Sequence, residues 1–286
     1  MLHPNLTIFV VDEESIDISM PPLPWINEID SKGLDLWVSD SKNLKILHQP
    51  SKNTLIMLNL LTNEAIYWVK SASQIPYYES SAPLRPILHW WMSSNGSQLL
   101  HAAAVGLHDK GVLIIGKGGS GKSNTAISCL DSDLYYAADD YCLLCFNPEP
   151  EVHSLYATGK LFFEDVKSYL FLKNINLTLQ DNNGDKALFF LYPNFAKRLC
   201  KSFPIKAILL PKISNKEEVR ISLTSAAKAY LALAPSTIFQ LQGCRNKTHE
   251  NITRLLHDVP CFSMDLSIDR RKNTDAIFQF LNSTFV

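Results

Sequence analysis

Short apolar and β-branched runs recur near the N-terminus, at 6–11, 34–38, 44–47, 54–60 and 64–69, each bounded by Asn, Asp, Ser, Gly or Pro. The pattern predicts an antiparallel meander, with hairpin-length links at 39–43 and 61–63. A Pro-punctuated stretch at 76–86 then leads into an apolar run containing Trp90 and Trp91, which predicts a helix ending at Asn95-Gly96. The tandem Trp is expected to act as a packing anchor between this N-terminal part and the core.

Strand character resumes over 98–107, and a turn at 109–111 precedes the continuous apolar run 111–115 expected of a buried strand. A helix over 124–130 and a strand over 134–140 follow. Further strands are expected at 142–146, 152–156, 160–163, 187–191, 205–210 and 261–266, and helices at 165–172, 195–201, 224–233, 250–257 and 274–281. Pro235 is expected to stop the fourth of these helices. The polar, Asn- and Asp-rich segment 174–185 is the best candidate for a flap. Alternating strands and helices predict an α/β protein: a mixed β-sheet core with helices on its faces, residues 81–286, fronted by a small β-rich lobe, residues 1–80.

Composition narrows the function classes. Of the 286 residues 46% are apolar and 19% charged, which is a folding chain and not a disordered one. A formal net charge of −1 and no long basic run exclude a nucleic-acid surface. No signal-peptide pattern and no apolar stretch of membrane-spanning length is found, so the expectation is a cytoplasmic protein without a membrane partner. Cys142 and Cys145 have metal-ligand spacing but sit in an apolar strand pattern without a second pair, and are expected to be packed thiols.

The chemistry concentrates in Gly116-Lys117-Gly118-Gly119-Ser120-Gly121-Lys122-Ser123, which fits the P-loop pattern G-x-x-x-x-G-K-[ST] between a predicted strand and a predicted helix. Such a loop turns backbone N–H groups onto a polyphosphate, Lys122 reaches the β- and γ-phosphates, and Ser123 offers its hydroxyl to Mg²⁺. Asp139 and Asp140 stand 17 and 18 residues beyond Lys122 at the end of the next strand, where a metal ligand and an acceptor-side base belong. Neighbours on a strand point to opposite faces, so the two carboxylates are expected to have separate jobs. Lys160, Lys186 and Arg220 are lesser candidates for phosphate contacts.

His101 in Leu100-His101-Ala102, the loop 116–123 and Ala137-Ala138-Asp139-Asp140 follow in an order and spacing that resembles the catalytic domain of bacterial HPr kinase/phosphorylase. The resemblance covers about 100–144. It implies a core of the HPr kinase/PEP carboxykinase type and an ATP- and Mg²⁺-dependent kinase acting on a hydroxyl of a peptide, protein or small molecule. By it Asp139 is the base with His101 holding it by a hydrogen bond, Asp140 joins Ser123 at the metal, and the nucleotide contacts run from Gly116 to Asn124. The family typically has an acidic residue where this chain has Asn124, and its E-I-R-G signature is not recognisable here. The resemblance therefore does not bring the phosphorolytic reaction, the HPr substrate or the hexamer with it, although a homo-oligomer is possible. In character the chain is more similar to compact HPr-kinase-like proteins of bacterial biosynthetic gene clusters, including lasso precursor peptide kinases. Two alternatives stand beside this: a nucleotide-binding regulatory protein without turnover, and nucleotidyl transfer to the same acceptor. The N-terminal lobe, which holds no catalytic constellation, is expected to serve recognition or assembly.

Overall fold

The N-terminal apolar runs form β1 (Thr7–Asp12), β2 (Trp37–Asp40), β3 (Leu44–Gln49), β4 (Thr54–Asn59) and β5 (Glu64–Val69), with α1 (Glu13–Ile16) and α2 (Ile26–Lys32) between the first two strands. The computed structural model describes residues 4–33, 35–173, 179–180 and 186–285. Strands β2 to β5 make the expected antiparallel meander, but β1 pairs parallel to β5, in the order β1-β5-β4-β3-β2. Parallel pairing needs a long connection, and everything from α1 to β4 lies between these two strands.

After α3 (Tyr77–Ser80), α4 (Arg85–Ser94) brings Ile87 and Trp90 into one buried cluster with Leu58, Ala65, Tyr67 and Val69. The Trp90 indole N–H donates to the Gln242 carbonyl at 2.6 Å, so the largest side chain of that cluster is also satisfied. Burial of α4 moves the division of the chain. The two compact units are Met1–Asn95 with Leu241–Asn246, and Gly96–Gln240 with Lys247–Val286, rather than 1–80 and 81–286.

The second unit contains β6 (Gln98–Leu100), β7 (Ala103–Leu107), β8 (Lys110–Ile114), α5 (Lys122–Ser128), β9 (Tyr135–Ala138), β10 (Cys142–Phe146), β11 (Pro150–His153), β12 (Thr158–Phe162) and α6 (Phe163–Val166). It continues with β13 (Leu179–Gln180), β14 (Lys186–Phe190), β15 (Ser202–Lys216), β16 (Arg220–Leu223), α7 (Ala226–Gln240), α8 (Arg245–Asp258), β17 (Cys261–Ser267) and α9 (Arg270–Thr284). Its main sheet runs β6-β10-β11-β15-β8-β7-β9, with β17 on β15 and β16 on β17, while β12, β14 and β13 form a small separate sheet. This is a mixed α/β arrangement with several sheets, as the alternation of patterns predicts.

Both faces of the main sheet are covered, which explains why its central strands read as continuous apolar runs. Alternation sends Val105, Val112 and Ile114 into one cluster with Ala126 and Ile127 of α5 and Ile277 and Leu281 of α9. Ala104, Leu113 and Ile115 go to the other, with Ala229 and Leu233 of α7 and Ile252 and Leu255 of α8.

Three predicted helices differ, and the one expected over 165–172 is reduced to the single turn of α6 and a 3-10 turn at Leu170–Leu172. Residues 195–198 form turns and Leu199 bridges to Tyr136, because this backbone serves β9 instead: Tyr136 N–H donates to Arg198 O at 2.8 Å and Cys200 N–H to Tyr136 O at 2.9 Å. Helix α7 passes through Pro235 and does not stop at it. Pro235 and Leu231, four residues earlier, are both exposed, so water can take the carbonyl that the ring leaves without a donor. The flap assigned to 174–185 lies, except for Leu179–Gln180, outside the described residues.

Candidate active site

Parallel strands bring several chain segments to one edge of the sheet. β8 and β17 both run parallel to β15, and β9 has the same direction as β8 because each pairs antiparallel with β7. The loop after β8, the acid pair after β9, the end of β17 and His101 just before β7 therefore share that edge, where ligands of α/β sheets bind.

The loop from Ile115 to Gly121 joins β8 to α5. Ile115 N–H still belongs to the sheet, donating to Leu209 O at 2.9 Å, and the chain then turns away. A Cβ at Gly116 would collide with the Ser120 hydroxyl, and Gly121 combines a φ of 99° with Leu266 Cδ1 only 2.6 Å from where a Cβ would stand. Both positions exclude a side chain. Lys117, Gly118 and Gly119 form the exposed crest. Beneath it Lys122 is buried, and its ammonium donates to Gly116 O at 2.7 Å and Lys117 O at 3.2 Å. Burial lowers the Lys122 pKa, and the charges of Asp139 and Asp140 oppose the shift. The Ser120 hydroxyl is buried with no hydrogen-bond partner.

The two aspartates have different surroundings. Asp139 is 2% exposed, and among the described residues neither carboxylate oxygen has a partner at hydrogen-bonding geometry. The nearby Ser123 hydroxyl and Lys122 pull its pKa down, but burial and then the Asp140 charge outweigh them and hold it well above the usual carboxylate range. At Asp140 the backbone takes a φ of 70°, and its side chain meets His101 Nε2 at 3.2 Å and Lys160 Nζ at 3.8 Å. Burial would raise the Asp140 pKa, but the His101 hydrogen bond and the Lys160, His101 and Lys186 charges prevail and hold it low. The expectation that His101 holds Asp139 is thereby corrected. The left-handed residue at 140 swings the second carboxylate, not the first, onto the imidazole.

His101 is fixed from both ends. Its backbone N–H donates to Thr237 Oγ1 at 3.2 Å, and its ring stands 5.5 Å from that of Tyr141, whose hydroxyl donates to Gln240 Oε1 at 2.5 Å. Thr237 and Gln240 come from α7, more than 90 residues away in the chain, and no local pattern marks them. Of the lesser candidates, Lys160 touches Asp140, and Lys186 is close enough for its charge to act on Asp140 and Lys122. Arg220 is exposed on β16, whose strand is separated from β8 by β17 and β15.

Asn124, directly after Ser123, is a structural tie. Its Nδ2 donates to Asp165 Oδ2 at 3.1 Å and its Oδ1 accepts from the Tyr169 hydroxyl at 2.8 Å. Arg270 completes the group, pairing with Asp165 at 2.9 Å, donating to Ser168 Oγ and lying 4.3 Å above the Tyr169 ring. An acidic residue at 124 would face the Asp165 carboxylate.

Among the described residues no three His, Cys, Asp or Glu side chains form a cluster able to hold a metal, and no helix is long and apolar enough to cross a membrane. No protein-family model and no curated protein matches the chain. Among solved structures, the HPr(Ser) kinase/phosphatase from Coxiella burnetii is similar over 65% of this chain and 89% of its own, with 13% identity and a TM-score of 0.34. At that score the likeness carries no argument, and the site stands on its own side chains.

Proposed function

We propose that this chain is an ATP- and Mg²⁺-dependent phosphotransferase that passes the γ-phosphoryl group to a hydroxyl of a peptide, protein or small molecule. The observation that carries the proposal is the buried, unpartnered Asp139 carboxylate beside Ser123 and Lys122 of the glycine loop. A carboxyl group without donors in a protein interior favours its protonated form, and a cation that meets it draws it to the ionised one. One carboxylate and one hydroxyl next to a phosphate cradle fit Mg²⁺, which takes few protein ligands and completes its shell with phosphate oxygens and water. Bound there, the ion would neutralise charge on the phosphates during transfer.

The chain's own groups divide the remaining work. Backbone N–H groups of the loop and the Lys122 ammonium hold the phosphates. Asp140, kept ionised by the groups around it, orients the acceptor hydroxyl by accepting its hydrogen bond, the proton passing to water as the new P–O bond forms, and His101 positions Asp140. This reverses the roles that the family resemblance gives the two aspartates. The reason is local: Asp140 has an imidazole at 3.2 Å and an ammonium at 3.8 Å against its oxygens, whereas Asp139 has no ion pair among the described residues and the Ser123 hydroxyl beside it. Incubation with ATP, Mg²⁺ and candidate hydroxyl acceptors, read by product mass, tests the proposal. Acceptors heavier by one phosphoryl group are expected. Nucleotidylated products, or ATP binding with no product across acceptor classes, would contradict it.

A further inference from the structure

Beyond the glycine loop, on the side away from the acid pair, lies a pocket of about 190 Å³. Its walls come from Gly121 and Thr125 at the start of α5, Ile213 of β15, Leu266 of β17, and Ile268 and Arg270 where the chain enters α9. From β8 the acid pair is reached by crossing β7 to β9, and the pocket by crossing β15 to β17. A chain of phosphates lying along the loop thus has carboxylates at one end and this pocket at the other. We propose, on the basis of the phosphotransferase reading above, that the pocket receives the nucleoside base of the donor and that it discriminates weakly between purines.

Three observations support the assignment. The volume is below the roughly 300–1,000 Å³ of a site that encloses a drug-sized ligand, so it suits one ring system and leaves the phosphates outside on the loop. Ile213 and Ile268 are 60% and 70% exposed, and two large apolar side chains open to water on one rim are explained by a flat ring packing between them. Gly121 belongs to both the loop and the pocket wall, so the two are continuous.

Weak discrimination follows from how the polar lining groups are bonded. Asn124 is committed to Asp165 and Tyr169, Arg270 to Asp165 and Ser168, and Asn273 to both the N–H and the carbonyl of Ser267. Ser128 Oγ donates to Asn124 O at 2.6 Å. Strong selection between isosteric rings arises when a site's buried polar groups go unpaired with the wrong ligand. These groups are paired with one another before any ligand arrives, so the apolar walls supply the contact and accept adenine and guanine alike.

Calorimetry with ATP, GTP and inorganic tripolyphosphate, each with Mg²⁺, tests the proposal on the full chain and on Ile268→Asp and Ile213→Asp. Both substitutions replace exposed side chains and leave the core intact. ATP and GTP should bind the unaltered chain within about 5-fold of each other, and tripolyphosphate at least about 10-fold more weakly, the loss expected on removing one buried ring. Each Asp variant should weaken both nucleotides by about 10-fold or more, and clearly more than it weakens tripolyphosphate, which feels only the added charge. Equal affinity for ATP and tripolyphosphate, or full ATP affinity in both variants, would overturn the pocket while leaving the phosphate cradle standing. Preference for one purine by more than about 50-fold would overturn the weak discrimination. Failure of all three ligands to bind would overturn the cradle and the pocket together.

Discussion

His101 Nε2 lies 3.2 Å from Asp140 Oδ1, and the adjacent Asp139 carboxylate has no hydrogen-bond partner among the described residues. One step along the chain separates a carboxylate that meets an imidazole and an ammonium from one that has no ion pair among the described residues. Two neighbouring carboxylates at the same sheet edge are thereby shifted in opposite directions, Asp139 toward its protonated form and Asp140 toward its ionised one.

Removing the acceptor-side carboxylate should suppress transfer without disturbing the donor. Asp140→Asn is expected to lower single-turnover phosphoryl transfer by about 10²-fold, the scale of losing a group that orients a reactant. His101→Ala should cause a smaller loss of the same kind, and in an Asp140→Asn background it should add little, because the histidine acts through that carboxylate. Full additivity of the two losses would show that His101 works independently.

Lys122→Ala removes an ammonium held by two carbonyls of the glycine loop. ATP affinity should fall by at least about 10-fold, the scale of one charge-assisted contact to phosphate, with the circular dichroism spectrum unchanged. Unchanged affinity measured by calorimetry would show that the loop does not bind the phosphates.

The Asn124 tie predicts a stability effect of definite sign. Asn124→Asp puts a carboxylate against Asp165 in place of an amide donor, and should destabilise the second unit by about 1–3 kcal/mol. Asn124→Asp combined with Asp165→Asn restores a donor–acceptor pair and should recover part of the loss, as read by urea denaturation. A single variant as stable as the original chain would contradict the tie.

The His89 imidazole predicts acid sensitivity in the first unit. Burial pushes its pKa down to about 4, against the opposing pull of the Gly243 carbonyl that Nε2 meets at 3.2 Å, and its Nδ1 is buried without a partner. Its unfolded value is near 6.5, so the unfolded chain binds the proton first. Stability is complete above about pH 6.5 and is lost as the pH falls toward 4, by about 2 kcal/mol between pH 7 and 5. His89→Gln should flatten this part of the stability profile of the first unit. An identical slope in the variant would exclude His89 as its source.

The glycine loop, the apolar strand before it and the acid pair after the next strand could all be located from the sequence, because loop chemistry and period-two burial are local signals. The parallel docking of β1 on β5 was not legible, since a strand's pattern records its faces and not the direction of its partner. Helix α7 looked shorter than it is because Pro235 reads as a stop only when the carbonyl it orphans is denied water. The pairing of His101 with Asp140 depends on one left-handed residue that is not glycine, and no pattern of residue types announces it. The tie from Asn124 through Asp165 to Arg270 joins residues up to 146 positions apart, so the same asparagine looked in the sequence like a plain departure from a family pattern.

The division of labour between the two aspartates is tested most directly by ATP titration calorimetry, with and without Mg²⁺, on Asp139→Asn and Asp140→Asn side by side. With Asp139 facing the metal, Asp139→Asn should abolish most of the gain in ATP affinity that Mg²⁺ gives the unaltered chain, and Asp140→Asn should retain that gain. Loss of the Mg²⁺ gain in Asp140→Asn with its retention in Asp139→Asn would contradict the assignment and restore the opposite one.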